Sequence, residues 1–362
     1  MKHLLSSMAI AMAVVTAPAL AATDVTGPQG LLKGQVPDNA AALKRVAITT
    51  FFVQYVTDFG IESKRKGGGT FFSKWKGPSP EVLQAATDAL YVQLVADLKA
   101  AGVEVVATDE VAAQAAMADL RKAARPSPAT INDSSIKKLS TLVSTQNLPL
   151  VLASLPDVKL SSYATKPLEG TDGPGNLIGW DKQSSQWLLG SNAELMSLGS
   201  IHIGQAKIAQ GLNATALNVR LTVPLVDMGI TTCGNAGGEC SGYSNTTGLI
   251  KPNARFVEAG TVFSFAYGGQ QAVLGLHTPV SIAGLKVTTD IDRLELKKST
   301  FGKDTKTARS GGLVGLFARG TGVDSESADF WVSFDAAEFA PALVSAGSTI
   351  FKELAQVLVS AK

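Results

Sequence analysis

The chain has 362 residues with 32 basic and 30 acidic side chains, so its formal net charge is only +2. A charge this close to balance gives no electrostatic footprint for DNA or RNA, and we expect no nucleic-acid partner. Hydrophobic residues make up 45% of the chain, which is enough for the core of one large or two medium domains.

The N-terminus has the three parts of a cleavable export signal. Lys2 supplies the positive charge, residues 4–15 form a short apolar run, and Ala19-Leu20-Ala21 presents the small residues that a signal peptidase accepts. The run is too short to cross a hydrocarbon core of ~30 Å, so we expect residues 1–21 to be removed. No cysteine lies near the cleavage site, and no later segment is predicted to span a membrane. The expected location is the periplasm of a bacterium, with secretion as the alternative.

The two cysteines, Cys233 and Cys240, flank six residues of which three are glycine. Such a segment turns back easily, and in an oxidising compartment we predict a disulfide bond between them. A loop this short contributes only roughly 2–3 kcal/mol. A reactive pair is the weaker alternative, because the spacing is not Cys-x-x-Cys and no group that would stabilise a thiolate is evident.

Composition and hydrophobic periodicity divide the chain into five parts. We predict a signal peptide at 1–21, an N-terminal arm at 22–43, an α/β lobe at 44–165, a loop or linker at 166–190, and a mixed β-rich lobe with a C-terminal helix at 191–362. The predicted fold class is mixed α/β, with strands backed by helices, a β-α-β unit near the N-terminus, a more antiparallel second half and a closing β-α unit.

The β-α-β unit has the strongest local signals. Residues 45–56 are β-branched and aromatic and predict a buried strand, and residues 58–78 predict a loop. Ser79 as N-cap, Pro80 in the first turn and a stop at Gly102 then bound a helix. The next elements are listed in chain order: a strand at 103–106, a helix at 109–124, a short helix at 136–144 and a strand at 148–155.

The second half is predicted to contain more strands. In residues 214–226, polar side chains such as Asn218 and Arg220 alternate with Leu217 and Val219, which predicts a half-buried strand of an antiparallel sheet. Further strands are expected at 261–266, 280–287, 289–296 and 328–334. Asp335, with Glu338 three residues later, predicts a capped helix whose apolar stripe consists of Phe339, Leu343, Ile350, Phe351, Leu354 and Leu358.

The strand Val46-Ala-Ile-Thr-Thr-Phe-Phe52, the helix after it and Leu98–Val106 resemble the start of the CsgG-type periplasmic domain. Curli-secretion and penicillin-binding-protein-activator lipoproteins share that domain. Leu148–Leu155 and Leu217–Gly229 are similar to later strands of the family. The resemblance implies an α/β envelope domain and no catalytic residues. The lipidated cysteine of the family is missing, and no segment corresponds to the membrane strands of a secretion pore.

No complete catalytic, cofactor-binding or metal-binding motif is present, and we expect no cofactor. His202 and His277 each lack a second ligand at short spacing, so each is predicted to be a partly buried strand residue. Ser-x-x-Lys occurs at Ser134 and Ser135 without its companion motifs, which favours a helix cap. Asp290, Asp292 and Glu295 lie on or near one strand, and Asp290 and Asp292 could together hold a hard cation, although a solvated charged face is favoured. Residues 311–322 lack the ending of a phosphate loop and predict a glycine-rich loop.

One segment combines cations with aromatic rings: Lys64, Arg65, Lys66, Phe71, Phe72, Lys74, Trp75 and Lys76. Rings that insert while ammonium groups pair with phosphate suit an anionic membrane surface or an anionic polymer. In the favoured alternative, the aromatic side chains fold back onto the body of the domain.

The sequence predicts an exported, non-enzymatic envelope protein that binds a partner or ligand as an accessory of envelope assembly or transport. The partner could be an envelope protein, an anionic membrane surface or an anionic polymer. A periplasmic hydrolase and a small-ligand binding protein that feeds a transporter are the alternatives. A deep pocket with carboxylates or a Ser–Lys pair would favour the hydrolase, whereas an apolar pocket or patch would favour binding.

Overall fold

The computed structural model describes residues 22–39, 43–63, 70–131, 140–151, 177–179, 203–232, 243–258, 260–268, 270–299 and 327–361. Within these ranges the chain has the mixed α/β fold that the sequence predicts. The helices are α1 (Pro80–Ala100), α2 (Thr108–Ala112), α3 (Ala115–Lys122), α4 (residues 203–211) and α5 (Ala336–Ser360).

The strands are numbered in chain order. They are β1 (Ala22–Thr26), β2 (Leu32–Pro37), β3 (Arg45–Tyr55), β4 (Asp58–Ser63), β5 (Thr70–Trp75), β6 (Glu104–Val105), β7 (Ala129–Ile131), β8 (Ser140–Ser144), β9 (Leu177–Gly179), β10 (Thr215–Val223), β11 (Val226–Thr232), β12 (Tyr243–Pro252), β13 (Arg255–Phe256), β14 (Val262–Tyr267), β15 (Gln270–Leu276), β16 (Val280–Ser281), β17 (Val287–Thr289), β18 (Arg293–Ser299) and β19 (Ser327–Phe334).

The largest sheet has nine strands in the order β1-β2-β15-β14-β10-β3-β8-β7, and β6 also pairs with β3. Strand β3 runs parallel to β10 and β6, and the other neighbours are antiparallel. The sheet takes strands from the predicted arm and from both predicted lobes. The predicted linker at 166–190 therefore does not divide this sheet into two separate cores.

The predicted β-α-β unit is confirmed, because β6 lies parallel to β3 with Arg45 opposite Glu104. Pro80 begins α1 as predicted, but the hydroxyl of Ser79 does not cap the backbone. A hydrogen bond with Ser79 instead lowers the pKa of Glu81. Gly102 adopts a φ of +87° directly after the helix, a conformation that favours glycine and ends helices.

Helices α1 and α5 pack against each other and cover one face of the nine-stranded sheet. Their axes approach closely at Gly347, where a Cβ atom would lie 2.6 Å from Leu90 Cδ2. Asp335 caps α5 as predicted by accepting a hydrogen bond of 2.8 Å from the Ala337 amide. The predicted apolar stripe of α5 is buried. By length and composition α5 could cross a membrane, but 61% of its most apolar window is buried inside the fold.

The predicted N-terminal arm is the β1–β2 hairpin, and α5 holds its turn in place. Glu353 of α5 is fully buried, and its Oε1 accepts hydrogen bonds from the amides of Leu31 at 2.9 Å and Leu32 at 3.2 Å. Gly27 lies against the same carboxylate without room for a side chain. Glu353 of α5 thus anchors the first hairpin.

A second, five-stranded sheet has the order β17-β19-β5-β4-β9, with β19 and β5 parallel. Two smaller sheets contain β11-β12-β18 and β13-β16. The loop predicted at 58–78 was wrong, because most of it forms the β4–β5 hairpin. The three consecutive glycines at 67–69 are typical of a loop, and they led us to predict a loop for the flanking strands as well.

Five other predicted elements differ from the structure in their described residues. The helix at 109–124 is interrupted at Ala113–Gln114 and forms α2 and α3. Residues 140–144, predicted as the end of a helix, form β8. Of the strand predicted at 148–155, only residues 148–151 are described, and there Leu150 makes an isolated bridge with Arg125. The strands predicted at 280–287 and 289–296 are split into β16, β17 and β18.

Candidate functional site

Four residues of the predicted contact segment lie in β5, namely Phe71, Phe72, Lys74 and Trp75, and they are divided between the two faces of this strand. Successive side chains of a strand point to opposite sides, and Phe71 and Trp75 point inward, with 0% and 7% of their surface exposed. The Trp75 ring meets Tyr55 edge-on at 6.2 Å and Phe339 at 6.1 Å between centroids. These two rings therefore fold back onto the body of the domain, as the alternative interpretation predicts, and they offer no ring for insertion.

The outward side of β5 carries Phe72 and Lys74, both half-buried. The parallel register places Asp329 of β19 opposite Phe72 and Trp331 opposite Lys74, so all four side chains lie on one face. Trp331 is 42% exposed. We call this group, Phe72, Lys74, Asp329 and Trp331, the β5–β19 face. Sequence reasoning missed Asp329 and Trp331, because their partner strand lies more than 250 residues away.

Lys74 is the centre of the β5–β19 face. Its Nζ lies 2.5 Å from Asp329 Oδ2, and 5.9 Å and 5.8 Å from the ring centroids of Phe72 and Trp331. The ion pair and the two cation–π contacts fix the ammonium group beside the exposed indole. Asp58 of β4 also lies opposite Lys74 in register. The positive charge of Lys74 is therefore compensated by the carboxylate of Asp329, with Asp58 on the neighbouring strand.

The next residues of the predicted segment extend beyond this face. Lys76 follows the end of β5 and is exposed, while its amide donates a hydrogen bond of 2.6 Å to Val332 O. Lys64, Arg65 and Lys66 lie outside the described residues. The cationic part of the prediction therefore remains a prediction.

Asp290 supports the exposed indole through the backbone. Its Oδ1 accepts hydrogen bonds from the amides of Trp331 at 3.0 Å and Ile291 at 2.9 Å. Ile291 is 39% exposed. The cation site considered for Asp290 and Asp292 gains no support from this geometry. Within the described ranges, no group of three or more His, Cys, Asp or Glu side chains could hold a metal ion.

A second polar cluster lies inside the nine-stranded sheet. The side-chain oxygen of Asn218 on β10 accepts hydrogen bonds from Thr49 at 2.5 Å, Thr50 at 3.1 Å and Gln205 at 2.8 Å. The register of β3 against β10 skips Thr49, so both threonines reach the same amide. All four side chains are buried, which places them out of reach of a ligand in this structure.

The polar row continues along β10. Arg220 donates a hydrogen bond of 2.6 Å to Gln54 Oε1, and Thr222 donates one of 2.8 Å to Gly260 O. Arg220 and Thr222 are 5% and 2% exposed. The prediction that β10 is half-buried was wrong, because both of its faces are buried. The predicted antiparallel pairing holds on one side only, since β10 runs antiparallel to β14 and parallel to β3.

Two adjoining clefts of about 420 and 390 Å³ share Gln146, Leu148 and Pro149. Asp109 and Arg121 line the first, and the second also includes residues that follow α3. The shared loop is tied to α1, because Asp88 accepts hydrogen bonds from Thr145 Oγ1 at 2.7 Å and from the Gln146 amide at 3.1 Å.

The structure does not bring the other predicted residues together. His277 is exposed just after β15 rather than partly buried within a strand. Several predictions lie outside the described residues: the disulfide between Cys233 and Cys240, His202, the Ser-x-x-Lys serines Ser134 and Ser135, and the glycine-rich loop at 311–322. The side chain of Glu295 is likewise not described, although its backbone lies in β18.

No family model matches this chain, and no curated protein or solved structure matches it either. The resemblance to CsgG-type domains therefore remains a prediction from the sequence.

Proposed function

We propose that this chain is an exported protein of the bacterial envelope that binds a partner or ligand without catalysis, as an accessory of envelope assembly or transport. The observation that carries the proposal is Trp331, which is 42% exposed beside the Lys74–Asp329 ion pair. Its neighbours in sequence, Phe330 and Val332, are fully buried and supply the packing of β19. The indole is thus presented outward while the core is filled without it.

An exposed indole next to a fixed donor and a fixed acceptor is typical of a contact surface. Tryptophan is enriched among the residues that dominate binding energy, because a rigid ring covers a large area at low conformational entropy cost. The ion pair and the backbone bonds to Asp290 hold the surroundings of the ring in place. This arrangement supports binding by a rigid face on a sheet.

The compartment follows from the leader at residues 1–21, which favours the periplasm, with secretion as the alternative. The resemblance to CsgG-type domains also favours an envelope role. An envelope protein, an anionic membrane surface and an anionic polymer are the partners that we propose to test first.

A small-ligand binding protein that feeds a transporter is the second candidate. The cleft of about 420 Å³ at Asp109 and Arg121 supports it, because pockets for small molecules have volumes of roughly 300–1,000 Å³. The cleft is lined by more polar groups than such pockets usually have, so we favour the β5–β19 face.

Binding of the mature chain to fractionated envelope tests the proposal. We expect the chain to co-sediment with one fraction, namely membranes, insoluble wall or soluble periplasmic proteins captured on the immobilised chain. Trp331→Ala should weaken this binding by roughly 30-fold, as for a residue that dominates a contact. The matched control is Val92→Ala on α1, where a side chain that is 66% exposed is truncated. Equal binding by both variants would refute the proposal.

A further inference from the structure

We infer that the β5–β19 face binds a polysaccharide with uncharged pyranose rings, one of which stacks on the indole of Trp331. This inference rests on the proposed function and names the class of ligand for the same face. Three observations carry it: the exposure of the ring, the compensated charge around it, and the small size of the apolar surface.

The exposed indole provides a flat, electron-rich surface. The face of an aromatic ring carries partial negative charge, and the C–H groups of a pyranose ring carry partial positive charge, so the two surfaces attract each other. Trp331 lies on β19 with its backbone bonded to Asp290, and Lys74 lies 5.8 Å from its ring centroid. A sugar ring can therefore rest on an indole whose orientation is already fixed.

The charges beside the ring favour an uncharged ligand. Lys74 is paired with Asp329, and Asp58 lies opposite Lys74 in the β4–β5 register. An anionic lipid or polymer would have to displace a carboxylate from this lysine and would meet the second carboxylate nearby. A hydroxyl group can instead donate to Asp329 and accept from Lys74 without disturbing their pairing. Alternating donors and acceptors beside a ring match a sugar.

The size of the apolar surface also favours a single ring over a protein partner. A stable protein interface buries about 800 Å² on each side around several aromatic or aliphatic anchors. Among the described residues, Phe72 is half-buried, and Ile291, whose amide shares the Asp290 acceptor with the Trp331 amide, is 39% exposed. A narrow platform with polar flanks suits one sugar unit of a longer chain.

The test uses the mature chain and three probes. The first is insoluble wall polysaccharide freed of protein and lipid, with a soluble oligomer of N-acetylglucosamine as competitor. The second is vesicles of phosphatidylcholine and phosphatidylglycerol, and the third is soluble envelope protein on a matrix. We expect binding to the polysaccharide, release by the neutral oligomer, and a blue shift of tryptophan fluorescence when the oligomer is added.

Four variants separate stacking from charge. Trp331→Ala should weaken oligosaccharide binding at least about tenfold, which is the usual effect of removing an aromatic side chain that stacks on a ligand ring. Trp331→Phe keeps an aromatic ring and should retain part of the affinity. Val92→Ala, the exposed control on α1, should bind like the unchanged chain. Asp329→Asn removes the charge that compensates Lys74 and should increase binding to the anionic vesicles. Thermal unfolding of each variant shows that the fold is retained.

The possible outcomes are distinct. Saccharide binding that is lost in Trp331→Ala and kept in Val92→Ala supports the inference. Saccharide binding that is unchanged in Trp331→Ala overturns it. Binding to vesicles or envelope protein that needs Trp331, without saccharide binding, overturns the inference and leaves the proposed function intact. If Trp331→Ala changes binding to none of the three probes, both the inference and the proposed function fall.

Discussion

On one face of the nine-stranded sheet, β3 and β10 present side chains such as Phe51, Val219 and Leu221 to helices α1 and α5; on the other face the same strands present Asn218 and Arg220. Both sets are buried. One face is filled by apolar packing, whereas the other combines hydrogen bonds with a smaller apolar cluster that includes Phe52 and Val262. Apolar and polar side chains that alternate along a strand thus lie on opposite faces of the sheet, and the polar face can be buried as well.

We expect the two faces to respond differently to mutation, for a physical reason. Apolar packing is non-directional, and truncation removes transfer energy and leaves a cavity. A buried hydrogen-bond network is directional, and loss of one member leaves its partners unsatisfied. We therefore expect the largest losses of stability on the apolar face and smaller ones on the polar face.

Truncation on the helix-covered face should have the largest effect. Phe339 of α5 is fully buried, stacks on Phe334 at 4.5 Å and contacts Tyr55 at 5.8 Å between ring centroids. We expect Phe339→Ala to lower the free energy of unfolding by about 3–5 kcal/mol, because both area and cavity terms apply. Urea denaturation followed by circular dichroism measures this change.

The control for this prediction is Val92→Ala, which truncates an exposed side chain on α1. It should change the free energy of unfolding by less than about 0.5 kcal/mol. If the two variants had similar stabilities, the packing of α5 against the sheet would be contradicted.

The second prediction concerns Glu353, a fully buried carboxyl group of α5. Glu353→Ala removes the acceptor for the amides of Leu31 and Leu32, so the free energy of unfolding should fall by about 1.5–3 kcal/mol. Glu353→Gln keeps one oxygen and should lose less. Hydrogen exchange of the two amides should accelerate in the alanine variant. Unchanged protection would show that α5 does not hold the hairpin.

Local signals in the sequence predicted the elements that depend on local physics. The helix α1 and the capped helix α5 were predicted because the apolar stripe, Pro80 and Asp335 act within a few turns. The parallel pairing of β3 and β6 followed from the β-α-β order. The burial of the polar face of β10 could not be predicted, because Gln54 and Arg220 meet across 166 residues of chain.

The candidate site shows the same limit. Five cations near three aromatic residues indicated a contact surface, but the pattern could not show which rings face inward. Strand alternation buries Phe71 and Trp75 and leaves Phe72 and Lys74 outward. The sequence around Trp331 gave no signal of function, because residues 328–334 have the pattern of an ordinary strand. Only the pairing of β5 with β19 places it beside Lys74.

The third prediction tests the polar face. Asn218→Ala removes the acceptor shared by Thr49, Thr50 and Gln205, so we expect the free energy of unfolding to fall by about 1–3 kcal/mol. The combined variant Asn218→Ala, Thr49→Val, Gln205→Leu should lose less than the sum of the single changes, because unsatisfied partners are removed too. Strict additivity in urea denaturation would contradict a shared network.

The smallest expected effect is a dependence of stability on alkaline pH, which arises from a phenol on the apolar face. Tyr55 lies on the apolar face, and its hydroxyl contacts Thr87 Oγ1 at 3.0 Å and donates to Leu83 O at 3.3 Å. Burial raises the pKa of Tyr55 above its ordinary value of 10.0, and the nearby Asp88 carboxylate adds to this, while the hydrogen bond with Thr87 opposes it. The folded state therefore holds the phenol proton more tightly than the unfolded state does.

The sign of the pH effect follows from this difference. The contribution of Tyr55 to stability is fully present below pH 10 and declines as the pH rises further, by at most roughly 1.4 kcal/mol per pH unit. Tyr55→Phe should lower the free energy of unfolding by about 1 kcal/mol at neutral pH, where it loses the hydrogen bonds. It should also flatten the decline above pH 10, and Tyr91, whose pKa is raised by burial, accounts for a remaining slope. Urea denaturation at a series of alkaline pH values measures both changes. An identical alkaline decline in the variant would mean that this hydroxyl does not lie in the apolar layer between the sheet and α1.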